Sequence, residues 1–124
     1  MILLDYQDRR PLYEQISEKF RMLIISGALP PGERMPSVRQ LAMDLAINPN
    51  TIQRAYMELE QQGLIYPVKG RGNFVADGRD IQRIGRADYL QELSELLKKG
   101  RDLNVPREDV QSLVDRHFKE EQND

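Results

Sequence analysis

Two short helical patterns in this chain are separated by only two residues, at positions 46 and 47. The first pattern opens at Ser37, whose S-x-x-Q spacing matches a capping box. The second opens at Asn48, a favoured cap residue, with Pro49 at the first helical position. Their apolar faces are Val38, Leu41, Ala42 and Leu45 in one helix, and Ile52, Ala55, Tyr56 and Leu59 in the other. Because so short a connection forces the helices to cross sharply, the pattern predicts a helix-turn-helix.

A further helix is predicted before this pair and a β-hairpin after it. Apolar residues recur at helical spacing from Leu12 to Ile24, Pro11 before them suits the first helical position, and the pattern ends at Gly27. Later in the chain, apolar and aromatic residues flank the sequence "KGRG" at 69–72, as in a hairpin with a glycine-rich tip. Pro67 lies in the first strand, so its nitrogen should face away from the partner strand. Three helices followed by a hairpin predict a winged helix-turn-helix.

The remainder of the chain predicts a second, helical part. The polar segment "DGRDIQRIGRAD" is interpreted as a boundary that divides the chain into a winged domain at 1–77 and an appendage at 78–124. Two helical stripes follow it: the first is expected to stop at Gly100, and Pro106 can open the second. Their apolar residues are Tyr89, Leu90, Leu93, Leu96 and Leu97 in one, and Val110, Leu113, Val114 and Phe118 in the other. The expected fold class is α+β, mostly α: a winged helix-turn-helix followed by a short C-terminal helical hairpin.

The composition argues against several classes of protein. The chain contains no cysteine, which excludes disulfides, thiolate metal sites and thiol catalysis. Its single histidine, His117, is read as a surface or packing residue, so we expect no metal. No apolar run approaches the roughly 18 residues of a membrane span, and the N-terminal apolar stretch is too short for a signal peptide. We therefore expect a cytoplasmic protein that has no cofactor and does not associate with a membrane.

The chain offers little that resembles an enzyme site. Its carboxylates lie on predicted helix faces beside Lys and Arg, as solvated charge usually does. The sequence "KGRGNF" resembles a phosphate-binding loop superficially, but it lacks the required spacing and falls in a predicted hairpin rather than between a strand and a helix. We therefore expect no catalytic residues and no enzymatic activity.

The net charge is only −2 at pH 7 and does not by itself suggest nucleic-acid binding. The placement of the polar side chains does suggest it. The first turns of the predicted third helix expose Asn50, Thr51, Gln53 and Arg54, whose groups bind base edges and phosphates well. Helix caps favour Asn and Thr whatever the function, so the amide and hydroxyl at 50–51 also suit a purely structural role. Capping does not explain Gln53 and Arg54, and these two carry the DNA hypothesis.

The segment "LPPGERMPSVRQLAMDLAINPNTIQRAYMELEQQGLI" at 29–65, followed by "KGRGNFVA", resembles the GntR family of bacterial transcription regulators. The wording "NPNTIQRAYMELEQQG" and the short helical tail resemble its YtrA subfamily in particular. The resemblance covers roughly residues 9–77. It implies a repressor that binds a near-palindromic DNA operator as a homodimer, with the third helix in the major groove and the wing tips nearby.

The resemblance also implies roles for individual positions. Arg39 matches the arginine that opens the second helix and contacts DNA. Pro49 stands where many relatives place a polar or basic contact, so that contact is expected to be absent. The implied DNA-binding positions are Arg39, Asn50, Thr51, Gln53, Arg54, Lys69, Gly70, Arg71 and Gly72.

An alternative from another class is a winged-helix protein–protein adaptor that does not bind DNA. Such an adaptor would present an apolar or acidic third helix and would not need basic residues at the wing tip. The side chains of Gln53, Arg54, Lys69 and Arg71 favour DNA instead.

The two C-terminal stripes are expected to form a homodimer interface, with packing inside one monomer as the alternative. A two-helix hairpin covers part of each stripe but lacks a third layer to close a core. For the same reason, residues 79–124 are too few to enclose a pocket of the usual ~300–1,000 Å³. We therefore expect no dedicated small-molecule effector domain.

Overall fold

The computed structural model describes residues 3–122, with side chains as far as Lys119. The elements in chain order are α1 (Leu12–Ser26), α2 (Val38–Leu45), α3 (Pro49–Gln61), β1 (Ile65–Val68), β2 (Gly72–Val75), α4 (Gly78–Asp102) and α5 (Arg107–Gln122). This order confirms the predicted fold class, a winged helix-turn-helix followed by C-terminal helices. The packing divides the chain into one compact unit that ends at Gly85 and another that begins at Arg86.

The core of the first unit forms where α1 packs against α3. Ile16, Phe20 and Ile24 follow one face of α1 and are fully buried. Phe20 meets Tyr56 of α3 edge to face, with ring centroids 5.7 Å apart and ring planes at 86°. Pro11 is the cap residue of α1 rather than its first helical residue, a shift of one position from the prediction.

The turn between α2 and α3 is made by left-handed backbone and by two caps. Ala46 has φ 55°, and the Ile47 N–H donates to the carbonyl of Ala42 at 2.9 Å, which reverses the chain at once. The Ser37 hydroxyl accepts the Gln40 N–H at 3.0 Å, and Asn48 Oδ1 accepts an N–H of α3 at 2.8 Å. Both predicted caps are therefore confirmed. The predicted capping box forms only in half, because the Gln40 amide donates to Asp44 in α2 instead.

Three backbone segments pair side by side in the wing, although the sequence predicted only two strands. β2 pairs with β1 in antiparallel register, and on its other side it pairs with the segment at 33–35. The backbone groups of Asn73 and Val75 hydrogen-bond to that segment. The residues that alternate with them in β2 therefore hydrogen-bond to β1. Pro67 is paired with Asn73, and its nitrogen therefore faces outward from an edge strand, as the sequence predicted.

The segment predicted as a polar connection is the start of α4. Asp77 caps the helix, since its carboxylate accepts the N–H of Asp80 at 2.9 Å. Ile81 and Ile84 lie three residues apart and are 7% and 8% exposed, so these first turns pack in the core of the winged unit. Compact packing thus extends to Gly85, and the functional division at residue 77 stays a prediction.

The C-terminal unit consists of the rest of α4 and of α5. Beyond the end of α4, Asn104 adopts φ 58° and the Val105 N–H donates to the carbonyl of Gly100 at 2.9 Å. This is a Schellman turn, and it explains why the helix ends two residues past the predicted stop at Gly100. No helix within residues 3–122 combines the length and the apolar character that crossing a membrane requires.

Candidate nucleic-acid interface

The helix α3 divides cleanly into a buried and an exposed face. At about 100° per residue, its core side chains and its exposed side chains lie on opposite sides of the axis. The exposed residues of the helix are Pro49, Asn50, Gln53, Arg54, Met57, Glu60 and Gln61. Thr51 is half-buried, so of the predicted DNA-binding positions on α3 it is the least accessible. From its start to Met57, the exposed face supplies amides, a guanidinium and one thioether, which suit base edges, phosphates and thymine methyl groups, and its one carboxylate, Glu60, lies near the C-terminal end.

The orientation of this face is fixed by Tyr56. The Tyr56 hydroxyl donates a 2.7 Å hydrogen bond to the carbonyl of Pro36, directly before the cap of α2. Burial raises the pKa of this phenol well above its ordinary value, so the hydroxyl keeps its proton and remains a donor. One side chain therefore links α3 both to α1, through Phe20, and to the start of α2.

Arg39 occupies the second position of α2, directly after the capped N-terminus. Its side chain is exposed, while Leu41 and Ala42 of the same helix are buried. Arg39, which was predicted to bind DNA, is therefore accessible to a ligand at the N-terminal end of α2. An arginine there provides planar N–H donors for a phosphate or a guanine edge.

The wing tip is a tight turn that needs its glycines. The Arg71 N–H donates to the carbonyl of Val68 at 2.9 Å, and Gly70 in the turn has φ 79°. Gly72 follows with φ 103°, so both glycines adopt backbone that residues with a β-carbon rarely take. Lys69 and Arg71 are exposed at this tip, which presents two cations with little side-chain bulk between them.

Arg34 is a cation of this region that the sequence analysis did not assign to the site. It pairs through its backbone with Phe74 of β2, so the third wing segment carries it alongside the hairpin. Its Nε lies 3.5 Å from where a β-carbon on Gly72 would be. Its basic character was visible in the sequence, but no local pattern indicated that it pairs with the wing. The structure thus brings a third basic side chain beside Lys69 and Arg71.

Arg54 contacts α1 as well as lying on the exposed face of α3. Its guanidinium carbon lies 3.8 Å from the ring centroid of Tyr13, within the range of a cation–π contact. Tyr13 is half-buried, and its hydroxyl donates to Glu14 at 3.2 Å. No sequence pattern pointed to Tyr13, because the contact depends on how α1 and α3 pack.

The five basic side chains between residues 34 and 71, in the helix-turn-helix and the wing, have no carboxylate partner within residues 3–122. They are Arg34, Arg39, Arg54, Lys69 and Arg71. Arg10, by contrast, pairs with both Asp8 and Glu18. Cations without acidic partners keep their charge available for phosphates, which supply much of the affinity of proteins for DNA. Over the same residues, no grouping of His, Asp and Glu could hold a metal ion.

The predicted dimerisation residues lie on the second unit, and most of them are exposed. Leu93 and Val110 are half-buried, whereas the side chains of the other seven are exposed. The seven are Tyr89, Leu90, Leu96, Leu97, Leu113, Val114 and Phe118. An open groove of about 560 Å³ lies between α4 and α5, and Leu93, Leu97, Val110 and Val114 contribute to its lining.

The sequence model of the gntR family of bacterial regulatory proteins matches residues 12–75. The matched range runs from α1 through β2 and contains every position predicted to bind DNA. The chain belongs to the GntR family. This membership confirms the resemblance found in the sequence, and because GntR proteins regulate transcription it also confirms that the chain is not an enzyme.

Individual GntR proteins are similar over most of the chain. The HTH-type transcriptional repressor YtrA of Bacillus subtilis (strain 168) is 42% identical over 93 residues, which cover 74% of this chain and 72% of that protein. A GntR family transcriptional regulator from Listeria monocytogenes gives a TM-score of 0.75 at 33% identity and covers 91% of this chain and 98% of its own. AraR(DBD) in complex with operator ORR3 gives a TM-score of 0.53 at 32% identity, over 60% of this chain and 89% of its own.

Proposed function

We propose that this GntR regulator represses transcription by binding a near-palindromic DNA operator as a homodimer. The observation that carries the proposal is the set of five basic side chains without acidic partners around the exposed polar face of α3. In this proposal α3 enters the major groove, and Arg39 and the wing residues Lys69 and Arg71 contact the flanking backbone. The similarity to AraR(DBD), whose complex with an operator has been solved, supports the same arrangement.

Sequence readout is assigned to the amides of α3. Gln53 and Asn50 are exposed and one turn apart, and a side-chain amide forms a bidentate pair with adenine. Each good bidentate pair discriminates against the wrong base by about 1–3 kcal/mol. Gly70 and Gly72 let the wing backbone approach the DNA closely, which a bulkier tip would prevent.

The C-terminal helices are assigned to dimerisation. Leu96 is 64% exposed and Phe118 is 59% exposed, and burying such apolar side chains in an interface would stabilise the dimer. Burying one leucine contributes about 1.5–3 kcal/mol, so a few shared leucines sustain an interface. Pairing by two-fold symmetry would give the dimer two copies of α3, which suits two operator half-sites one or more DNA turns apart.

The proposal places the regulator with the chromosome, in the bacterial cytoplasm. It assigns no dedicated effector domain to residues 86–122. Any small-molecule response would use a cleft between helices or between subunits, and the groove beside Leu97 and Val110 is the kind of surface available for it. That surface is shared with the residues assigned to the dimer.

The test is selection of DNA by the purified protein from sheared genomic fragments, followed by sequencing. The expected result is one enriched sequence with two inverted half-sites. A Gln53→Ala variant should select the same sequence with relaxed preference at one position in each half-site, because one bidentate contact is lost. Gln91→Ala removes the same amide from an exposed position on α4 and serves as the control. Selection of no sequence, with no gel shift on any fragment, would favour the protein–protein adaptor instead.

A further inference from the structure

Tyr13 lies on α1, outside the helix-turn-helix and the wing, yet the Arg54 guanidinium lies over its ring at 3.8 Å from the centroid. We infer that Tyr13 is a positioning residue of the DNA interface, which holds the Arg54 guanidinium so that its N–H groups meet a DNA phosphate. The inference rests on the proposed function and deepens it in two ways. It assigns a role to a residue of α1, and it assigns Arg54 to the backbone rather than to a base.

The contact uses the part of the guanidinium that a phosphate does not need. A guanidinium is planar, and its five N–H donors point outward in that plane. When its flat face lies on an aromatic ring, these donors remain free at the edge. Arg54 has no carboxylate partner within residues 3–122, although Glu58 follows it by one turn and Glu14 accepts the Tyr13 hydroxyl. The ring therefore orders a long, flexible side chain without neutralising its charge.

The position of the contact separates Arg54 from the base-reading residues. Neighbouring helix residues point about 100° apart, so Gln53 and Arg54 diverge across the exposed face of α3. Arg54 leans to the side where α1 lies, beside a cleft of about 280 Å³ that Tyr13, Met57, Glu58 and Gln61 also line. The Glu58 carboxylate in this cleft accepts the Ser17 hydroxyl at 3.3 Å. A helix in the major groove is flanked by the phosphates of the groove edges. A guanidinium held at the edge of the face is thus suited to a phosphate, while Gln53 is directed elsewhere.

The experiment measures the affinity of the full-length protein for two DNA duplexes over a range of KCl concentrations. One duplex carries the sequence selected from genomic DNA, and the other is an unrelated sequence. The variants are Tyr13→Phe, Tyr13→Leu, Arg54→Ala and the double variant Tyr13→Leu/Arg54→Ala. Tyr13→Met, which also removes the ring and keeps apolar volume, is measured alongside, with thermal unfolding of every variant as the check on folding.

The expected pattern is specific to a residue that acts through Arg54. Tyr13→Phe keeps the ring and should bind within twofold of wild type. Tyr13→Leu should lose roughly two- to fivefold in affinity for both duplexes, the range of an exposed cation–π contact. Its log–log salt slope should fall by up to about 0.9, the contribution of one phosphate contact. In the absence of Arg54, replacing Tyr13 should cost nothing further.

Three results would overturn the inference. They are an equal loss from Tyr13→Leu with and without Arg54, a loss from Tyr13→Phe as large as that from Tyr13→Leu, and unchanged binding when Arg54 is removed. Each of these is observed with a wild-type protein that binds the selected duplex, so the proposed function survives it. A wild-type protein that binds neither duplex refutes the proposed function, and the inference falls with it.

Discussion

The hydroxyl of Tyr56 donates a 2.7 Å hydrogen bond to the carbonyl oxygen of Pro36, which joins the middle of α3 to the residue that precedes the cap of α2. The same ring packs edge to face on Phe20 of α1. Gln53 and Arg54 stand within a turn of Tyr56 on the same rigid helix. Their placement therefore depends on one buried phenol that contacts two other parts of the fold.

Removing only that hydroxyl should measurably weaken the fold. We expect Tyr56→Phe to lower the free energy of unfolding by about 1 kcal/mol, because the ring and its packing on Phe20 remain and one hydrogen bond is lost. Urea unfolding followed by circular dichroism measures the change. Tyr66→Phe removes the hydroxyl of an exposed tyrosine and should leave the midpoint unchanged. Equal midpoints for Tyr56→Phe and wild type would contradict the assigned bond.

The left-handed backbone at Ala46 should respond to glycine with a gain in stability. Ala46 has φ 55°, where a β-carbon costs about 1–2 kcal/mol, and glycine removes that cost at a partly offsetting loss of chain entropy. We expect Ala46→Gly to raise the free energy of unfolding by up to about 1 kcal/mol. The same exchange at Ala87, exposed within α4, should lower it by a similar amount. Destabilisation by both variants in urea would argue against the left-handed turn.

The wing cations should appear in the salt dependence of DNA binding. We expect the double variant Lys69→Ala/Arg71→Ala to weaken binding to all sequences, with a log–log salt slope lower by up to about 0.9 for each lost phosphate contact. Fluorescence anisotropy over a KCl series gives both quantities. Lys98→Ala/Lys99→Ala removes the same charge from exposed positions on α4 and should leave the slope unchanged. Unaltered affinity and slope in the wing variant would show that the wing does not contact DNA.

The apolar stripe of α4 should determine the oligomeric state. We expect the full-length protein to sediment as a dimer at micromolar concentration and Leu93→Asp/Leu97→Asp to sediment as a folded monomer, since buried carboxylates in an apolar interface are costly. The monomer should bind a palindromic operator poorly. Gln91→Asp/Ser94→Asp adds the same charge to exposed positions of the helix and should remain dimeric. A wild-type monomer at micromolar concentration would refute the dimer.

The first turns of α4 should behave as part of the winged unit. We expect a chain that ends at Gly85 to be more stable than one that ends at Asp77 by several kcal/mol, because burial of each isoleucine contributes about 1.5–3 kcal/mol. Urea unfolding compares the two. The longer chain carrying Ile81→Ala and Ile84→Ala should resemble the shorter one, which attributes the difference to these side chains. Equal midpoints for the two lengths would place α4 outside the core.

Local signals allowed the central part of the fold to be predicted from the sequence. Ser37 and Asn48 cap their helices through atoms two or three residues away, so no distant partner is needed to recognise them. The apolar faces of α1 to α3 repeat often enough to define each helix. The exposed positions of α3 could be predicted from the same periodicity, because they are the helix positions that do not belong to its apolar face.

Features that depend on distant partners could not be predicted in this way. Ile81 and Ile84 are two apolar residues in a polar segment, and only the rest of the core makes that pair sufficient to hold a helix. Arg34 joins the wing through backbone pairing with Phe74. Its segment is too short to show the alternation of apolar and polar residues by which a strand is recognised. The contact of Tyr13 with Arg54 arises from the packing of α1 on α3, and neither residue indicates the other by its spacing.

The outward-facing nitrogen of Pro67 has a consequence for how the protein behaves at high concentration. β1 is an edge strand, and an open edge is a template on which a strand of another molecule can add, which leads to aggregation. Pro67 removes a donor from that edge, and the strand is only four residues long. The wing can thus remain an exposed hairpin without joining the hairpins of neighbouring molecules into a continuous sheet.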